Sequence, residues 1–500
     1  MKKYCFLMTG TTNWLSVAKE LRQKNIAEPV LWLGDDKHVD DAKKYFGPEV
    51  VTRMLDFVHY QQRIPQFEYD GEYSNFFYSD NYLRAKDRCL KMMDRLDLYG
   101  TFARIDREAV FNKLTKWFLK RLSETSPEFL LMVEAPHSHA QYLLYEIALF
   151  LEIKTYKFNS WTISPLLYLQ DMDTGSRLEK NFEIEKKISD LLEKDTHKFI
   201  DEVIKSQDAD DYEVEYMKKQ RLNNTFIKKI LNIKTSSLKE LIKTFIFEWR
   251  FLFRTEYHKV NPFRYGIYLR SKVKRLKKRN LMKSFSLHQD EVDISKKFVY
   301  FPLHFEPERT TNPDGGLFHD QLIAIVALRK ILPDDIGIVV KEHPSQFYIS
   351  ERGSRGRSPL FYDNLKNIKN LTLASLEINT LSLIKSSIFV SSISGSVCLE
   401  AAILGKKSLM FGDSWFRGCP NTINWSEELS YSEIHDSKTF GPDKIIEFLR
   451  TQQNLHCVPG FHNPSSFNRF NTHHSQSFFQ ESEKNIVLLL TQLFNSKLSN

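Results

Sequence analysis

Cysteine pairs are missing from this sequence: its five cysteines, Cys5, Cys89, Cys398, Cys419 and Cys457, are odd in number, scattered and nowhere spaced as CxxC. That excludes a disulfide framework and a cysteine zinc site, and it fits a reducing compartment. Also missing is any apolar run near the roughly 18 residues that a bilayer-spanning helix needs. The longest candidates are fragments such as IVLLL at 486–490. The N-terminal MKKYCFLMTGTTNW has two lysines but only a short apolar stretch, so a signal peptide's core is absent. The expectation is a cytoplasmic protein, soluble or peripheral at the inner face of the cell membrane. Metal-ligand spacing is lacking too, since His473 and His474 have no partner at a suitable distance in sequence. Asp171 and Asp173 form a DxD of the kind that chance supplies often, and no metal is expected.

What is present is ample material for cores, with 42% hydrophobic and 13% aromatic residues in 500 positions. Global disorder is excluded, and the length implies two or three domains. The net charge of +8 hides an asymmetry, because residues 217–285 hold 20 Lys and Arg against 3 Asp and Glu. That local excess of 17 leaves the remainder of the chain at −9. Within it, LKELIKTFIFEWRFLFRTEYHKV mixes aromatic and aliphatic residues with cations. Two readings stand: an amphipathic helix at an anionic membrane surface, or a helical insertion whose lysines are simply solvated. Nucleic acid is not expected as a partner, because no recognition motif accompanies the charge.

The pattern along the chain changes three times. Over 1–174, short apolar runs end in polar turns (YCFLMTG, VLWLGDD, FLLMVEAPHSH), and the last is followed by the helical AQYLLYEIALFLEI and by KTYKF. This strand, helix, strand order predicts a parallel α/β sheet. Residues 175–290 read as charged and helical, an insertion or linker. From 291 to 440 the α/β rhythm returns, with KFVYFPL, IGIVV, IKNLTLA, IFVSS and KSLMFG as strands, and with HDQLIAIVALRKIL, LSLIKSS and VCLEAAILG as helices. Gly405 ends the last of these where a C-cap wants positive φ. Residues 441–500 read as a polar loop and a C-terminal helix. The fold class expected is α/β, two Rossmann-like domains with a basic helical insertion between them.

Ligands of open parallel sheets bind beyond the carboxyl ends of the strands, and that rule selects the candidate residues. KEHPSQF follows IGIVV directly, placing Lys341 and His343 where they can contact a diphosphate and Pro344 where it fixes the loop. SSISGSVCLEAA turns from strand to helix through Ser394, Gly395 and Ser396, whose N–H groups and hydroxyls would cradle a phosphate. Glu400 lies one turn on, within reach of a ribose hydroxyl. Serine and glycine also cap helices with no ligand at all, so it is the pairing of the two loops that points to a site. PLHFEPERTTNPDGG adds His304, Glu306 and Arg309 as substrate contacts, while Asp320 complements a helix dipole. In the first domain, VEAPHSH places Glu134 and His137 at a strand's end, a carboxylate and an imidazole suited to activating an acceptor hydroxyl.

FVYFPLHFEPERTTNPDGGLFHDQ, KEHPSQF and SSISGSVCLEAAILGKKSLMFG, in this order and spacing, resemble the bacterial capsule polysaccharide biosynthesis family over about 295–415. VEAPHSHAQYLLYEIALFLEI is similar to that family's proline-histidine segment; the basic middle and the tail match nothing in it. The resemblance implies a GT-B architecture and sugar transfer similar to that of enzymes using cytidine monophosphate donors. No tightly bound cofactor is expected, the nucleotide sugar being a substrate. It implies that His343 and Pro344 match the HP motif associated with the donor nucleotide, and that Ser394–Ser396 match its phosphate-binding serine loop. Lys341 precedes the HP as in similar members. The acidic motif of related sialic-acid transferases has only a faint echo in Asp70–Glu72, which leaves the catalytic base open. The function expected is a glycosyltransferase moving a sugar from a nucleotide sugar to a glycan or lipid-linked glycan acceptor. Two alternatives are kept: a nucleotide-sugar epimerase of the same architecture, and a non-catalytic component of polysaccharide assembly or export.

Overall fold

The structure, a computed structural model, describes residues 1–7, 13–34, 38–54, 57, 64, 67–96, 103–205, 280–348, 350–462 and 476–496. The basic stretch 217–285 lies outside these except for 280–285, which opens a helix running to 288. Its expected membrane contact therefore falls outside the described residues, as do His473 and His474. Among the described residues no helix is long and apolar enough to cross a membrane.

The chain divides into two compact units, Met1–Leu96 with Phe102–Phe199 and Leu449–Asn500, and Asp97–Thr101 with Ile200–Phe448. The first unit holds β1 (Lys2–Leu7), β2 (Ala27–Gly34), β3 (Val51–Arg53), β4 (Phe129–Met132), β5 (Lys154–Trp161) and β6 (Leu166–Asp171). The second holds β7 (Phe298–Pro302), β8 (Gly337–Lys341), β9 (Leu371–Ala374), β10 (Val390–Ser392), β11 (Ser408–Met410) and β12 (Thr422–Asn424). The chain then returns to the first unit with β13 (Cys457–Pro459) and the helix Gln476–Asn495. The two α/β units expected from the sequence are both there.

The same winding builds both sheets. In the first the order is β13-β6-β5-β4-β1-β2-β3, parallel from β3 to β5, with β6 and β13 added antiparallel at one edge. In the second it is β12-β11-β10-β7-β8-β9, parallel throughout. Each sheet starts at an interior strand, β1 or β7, winds outward one way, and resumes on that strand's other side. The switch points are thus β1/β4 and β7/β10, and the rule for open α/β sheets places the ligand crevice there, at the carboxyl ends.

Alternation along β7 shows how apolar patterning sets this layering. Val299 and Phe301, with Leu303 beyond them, enter one core with Ile338 and Val340 of β8, while Tyr300 faces the opposite side. The helix Gln321–Ile331 covers that core with Ala324, Ile325 and Leu328, a spacing of three and four that lines one helical face. Asp320 caps it by accepting a hydrogen bond from the Leu322 N–H at 3.0 Å. In the first unit the returning C-terminal helix packs Ile486, Val487, Leu490 and Leu493 into the core that holds Trp14, Val17 and Leu21. Gly405 closes the helix Val397–Ile403 region at φ +74°, as the sequence predicts.

Candidate functional site

Two loops meet at the β7/β10 switch. His304, two residues past β7, lies with Nε2 3.0 Å from the Oγ of Ser392 at the end of β10, and it accepts the backbone N–H of Ser394 at 3.3 Å. An Nε2 that accepts an N–H leaves the ring proton on Nδ1. Ser394 Oγ in turn donates to the carbonyl of Thr310 at 2.9 Å, and Ser396 Oγ donates to Glu400 Oε1 at 3.1 Å. Both serine hydroxyls are therefore engaged within the protein. The backbone N–H groups of Gly395, Ser396 and Val397 are not: among the described residues they have no acceptor, and all three positions reach solvent.

Glycine is required at 395 by this close approach. A Cβ there would lie 2.9 Å from Ser392 Oγ and 3.5 Å from His304 Cε1, displacing the hydroxyl from the imidazole. Gly315 and Gly412 do related work, since a Cβ at Gly315 would come within 2.5 Å of the Thr311 carbonyl oxygen and one at Gly412 within 3.1 Å of that of Asp314. The loop after β7 is thereby folded down onto Ile393.

The loop after β8 brings His343 to the same edge, its ring 6.3 Å from that of Phe305. Its Nδ1 accepts the N–H of Ser345 at 3.2 Å, so the proton of the neutral ring sits on Nε2. Burial pushes His304 down to about 3, with the charges of His343 and Arg357 adding to it, and pushes His343 down to about 4, with Arg357 adding. At neutral pH both imidazoles are uncharged. Glu400 is shifted the other way: burial raises its carboxyl, against the hydrogen bond from Ser396.

The cations named from the sequence have protein partners. Lys341 Nζ donates to the carbonyl of Ile378 at 2.5 Å and to Thr380 Oγ1 at 3.1 Å, and burial brings it down to about 8, with Glu377 opposing. Arg309 pairs with Asp314 at 3.1 Å. Glu306 is buried, takes the Gln321 amide on Oε1 at 3.2 Å, and is gripped through its backbone by the Gln346 side chain. His304, His343 and Ser394–Ser396 with Glu400 thus converge at the crevice. The side chains of Lys341, Glu306 and Arg309 are held by neighbouring protein groups.

Below the loops lies a polar layer that the sequence reading missed. Arg357 and Glu342 pair at 3.0 Å, with side chains 3% and 0% exposed, and Tyr362 donates to Glu342 Oε2 at 2.8 Å. The one signal available was the RGSRGR run at 352–357, where Gly353 and Gly356 recur three apart.

In the first unit, Glu134 and His137 follow β4 at the β1/β4 switch. His137 Nδ1 lies 2.9 Å from the Ala135 carbonyl and 3.4 Å from Glu134 Oε1, which orients Nδ1–H inward and leaves Nε2 as the basic nitrogen. The ring is half exposed. Asp171 Oδ1 accepts the N–H groups of Asp173 and Thr174, so the DxD is an Asx turn at the end of β6. Asp70 likewise accepts the Glu72 N–H in an exposed turn.

No family model matches the chain, and no curated protein matches its sequence. Among solved structures it is similar to a KpsC β-Kdo 2,7 transferase of Thermosulfurimonas dismutans, at 10% identity over 67% of this chain and 89% of that one, with a TM-score of 0.26. It is also similar to the UDP-GlcNAc 2-epimerase of Methanocaldococcus jannaschii, at 13% identity over 95% and 100% of the two chains, TM-score 0.21. A third is the Neisseria meningitidis UDP-GlcNAc 2-epimerase bound to UDP-GlcNAc, at 13% identity over 98% and 100%, TM-score 0.20. Scores of this size match no residue of one chain to a residue of another.

Proposed function

We propose that this chain is a glycosyltransferase of bacterial surface polysaccharide biosynthesis, taking its nucleotide-sugar donor in the crevice of the second unit. The observation that carries the reading is the set of three unengaged N–H groups at Gly395, Ser396 and Val397, beside His304 at the β7/β10 switch. Consecutive N–H groups at a strand-to-helix turn bind phosphate oxygens, and the same donors stabilise a leaving phosphate as the glycosidic bond to it breaks. Neutral His343 adds an Nε2–H donor, and Glu400 a carboxyl for a ribose hydroxyl. In the first unit His137, its Nδ1–H held by the Ala135 carbonyl with Glu134 beside it, is suited to take the proton of an acceptor hydroxyl. Cytidine monophosphate as the leaving nucleotide follows from the family resemblance.

A melting-temperature screen of the full chain against nucleoside mono- and diphosphates tests this. Ligands that bind only the folded state stabilise it by about 2.7 kcal/mol at a hundred times Kd, so one nucleotide should raise the melting temperature by several degrees. If millimolar nucleotides leave melting unchanged, the reading fails. Incubation with nucleotide sugars alone then separates reaction classes: rapid conversion of the sugar without an acceptor would replace transfer by epimerisation.

A further inference from the structure

We propose that Arg357 is a positioning residue, tying the loop after β7 to the loop after β8 so that His304 and His343 face the crevice in one fixed register. Its guanidinium spans both loops. Nε donates to Glu342 Oε2 at 3.0 Å and Nη2 to Glu342 Oε1 at 3.3 Å, while Nη2 also donates to the His304 carbonyl at 3.0 Å. Glu342 Oε1 passes the connection on by accepting the backbone N–H of His343 at 2.8 Å. One buried ion pair thus reaches the main chain at both histidines. Phe361 closes the other side, its ring 4.2 Å from the guanidinium carbon.

The backbone around Arg357 is built for this approach. A Cβ at Gly353 would lie 2.0 Å from the Gln346 carbonyl oxygen, and one at Gly356 would lie 2.2 Å from the carbonyl carbon of Glu306. Only glycine lets the segment before Arg357 lie against both loops. Gln346 adds a parallel tie, donating to the Glu306 and Gly353 carbonyls and accepting the Glu306 N–H, each at 2.8 Å. A buried ion pair is seldom more stabilising than apolar residues of the same volume, and its best-attested use is to set register. Its position directly under two ligand-facing loops, with bonds to the main chain of each, assigns it that use here. For its effect on ligand binding the proposal rests on the reading of this crevice as the nucleotide site.

Hydrogen–deuterium exchange on the full chain without nucleotide, comparing Arg357→Lys and Arg357→Gln with the wild type, tests the tie. Lysine can pair with Glu342 but cannot at once reach the His304 carbonyl, because it lacks the planar fork. In Arg357→Lys, exchange over 303–312 should rise roughly ten- to a hundredfold, the factor that a lost charged hydrogen bond represents, while 342–346 stays near wild type. In Arg357→Gln both segments should exchange faster. If Arg357→Gln does not fold, the lysine variant alone decides. Unchanged exchange in 303–312 alongside a lower melting temperature would show that Arg357 serves only the core, and would overturn the proposal. Nucleotide titration is run beside it: a wild type that binds no nucleotide removes the ligand reading, and the exchange data still decide the tie.

Discussion

Ser396→Asp is expected to weaken nucleotide binding roughly ten- to a hundredfold while leaving the fold intact. Ser396 stands at the N-cap of the helix Val397–Ile403, exposed, beside the three unengaged N–H groups. A carboxylate there sets a negative charge beside those donors, and it repels the incoming anion. Losing a hydrogen bond to a charged group costs about 1.5–3 kcal/mol, which is the fold-change given above. Stability should move little. A negative charge near a helix's positive end is favoured, while its repulsion of Glu400 four residues on works the other way, each by a few tenths to about 1 kcal/mol. Ser396→Asn, which adds no charge, should keep most of the affinity. Calorimetric titration with the best nucleotide from the melting screen checks both variants, and equal affinity in wild type and Ser396→Asp would remove this turn from the phosphate site.

Glu342→Ala is expected to have the larger effect on stability, about 3–5 kcal/mol, because it strands a buried guanidinium without its counter-charge. Arg357 is 3% exposed, and both the Tyr362 hydroxyl and the His343 N–H lose their acceptor in the same change. The pair differs in kind from exposed bridges such as Lys369–Asp334, whose screened charges contribute little. Replacing both partners with apolar residues, Glu342→Leu with Arg357→Met, should recover a substantial part of the loss, so the two sites are strongly coupled in a double-mutant cycle. Urea unfolding followed by a probe in the second unit measures each term. A Glu342→Ala loss under 1 kcal/mol would mean that water or another anion satisfies Arg357.

The elements legible in the sequence are those whose burial is written in consecutive residues. FLLM, GIVVK and FVYFP each fill a strand buried on both faces, and apolar runs bounded by turns report that directly. β6 and β13 were not legible, because three to six residues at an antiparallel edge carry little pattern, and β13 joins β6 from almost three hundred positions away. The crevice loops were legible for the same reason as the strands they follow. Their internal wiring was not: Ser394 meets His304 across 90 positions and Lys341 meets Ile378 across 37, and no local spacing records such pairs. Lys341, read as a diphosphate contact, ends with its ammonium on the neighbouring loop because a lysine at a buried strand's end is less costly when a carbonyl receives it. Arg357 was hidden in a polar stretch, its role visible only once Gly353 and Gly356 bring that stretch against the two loops.

The central claim is that a nucleotide phosphate meets the N–H groups at 395–397, and Gly395 offers a direct reporter. Protein labelled with nitrogen-15 only at its 18 glycines gives few amide signals, and that of Gly395 is assigned by its loss in Gly395→Ala. Titration of cytidine monophosphate, or of whichever nucleotide stabilises the chain most, should shift the Gly395 signal saturably, with a midpoint matching calorimetry. A nucleotide that binds by calorimetry yet moves only other glycines, such as Gly34 at the end of β2, would contradict the claim.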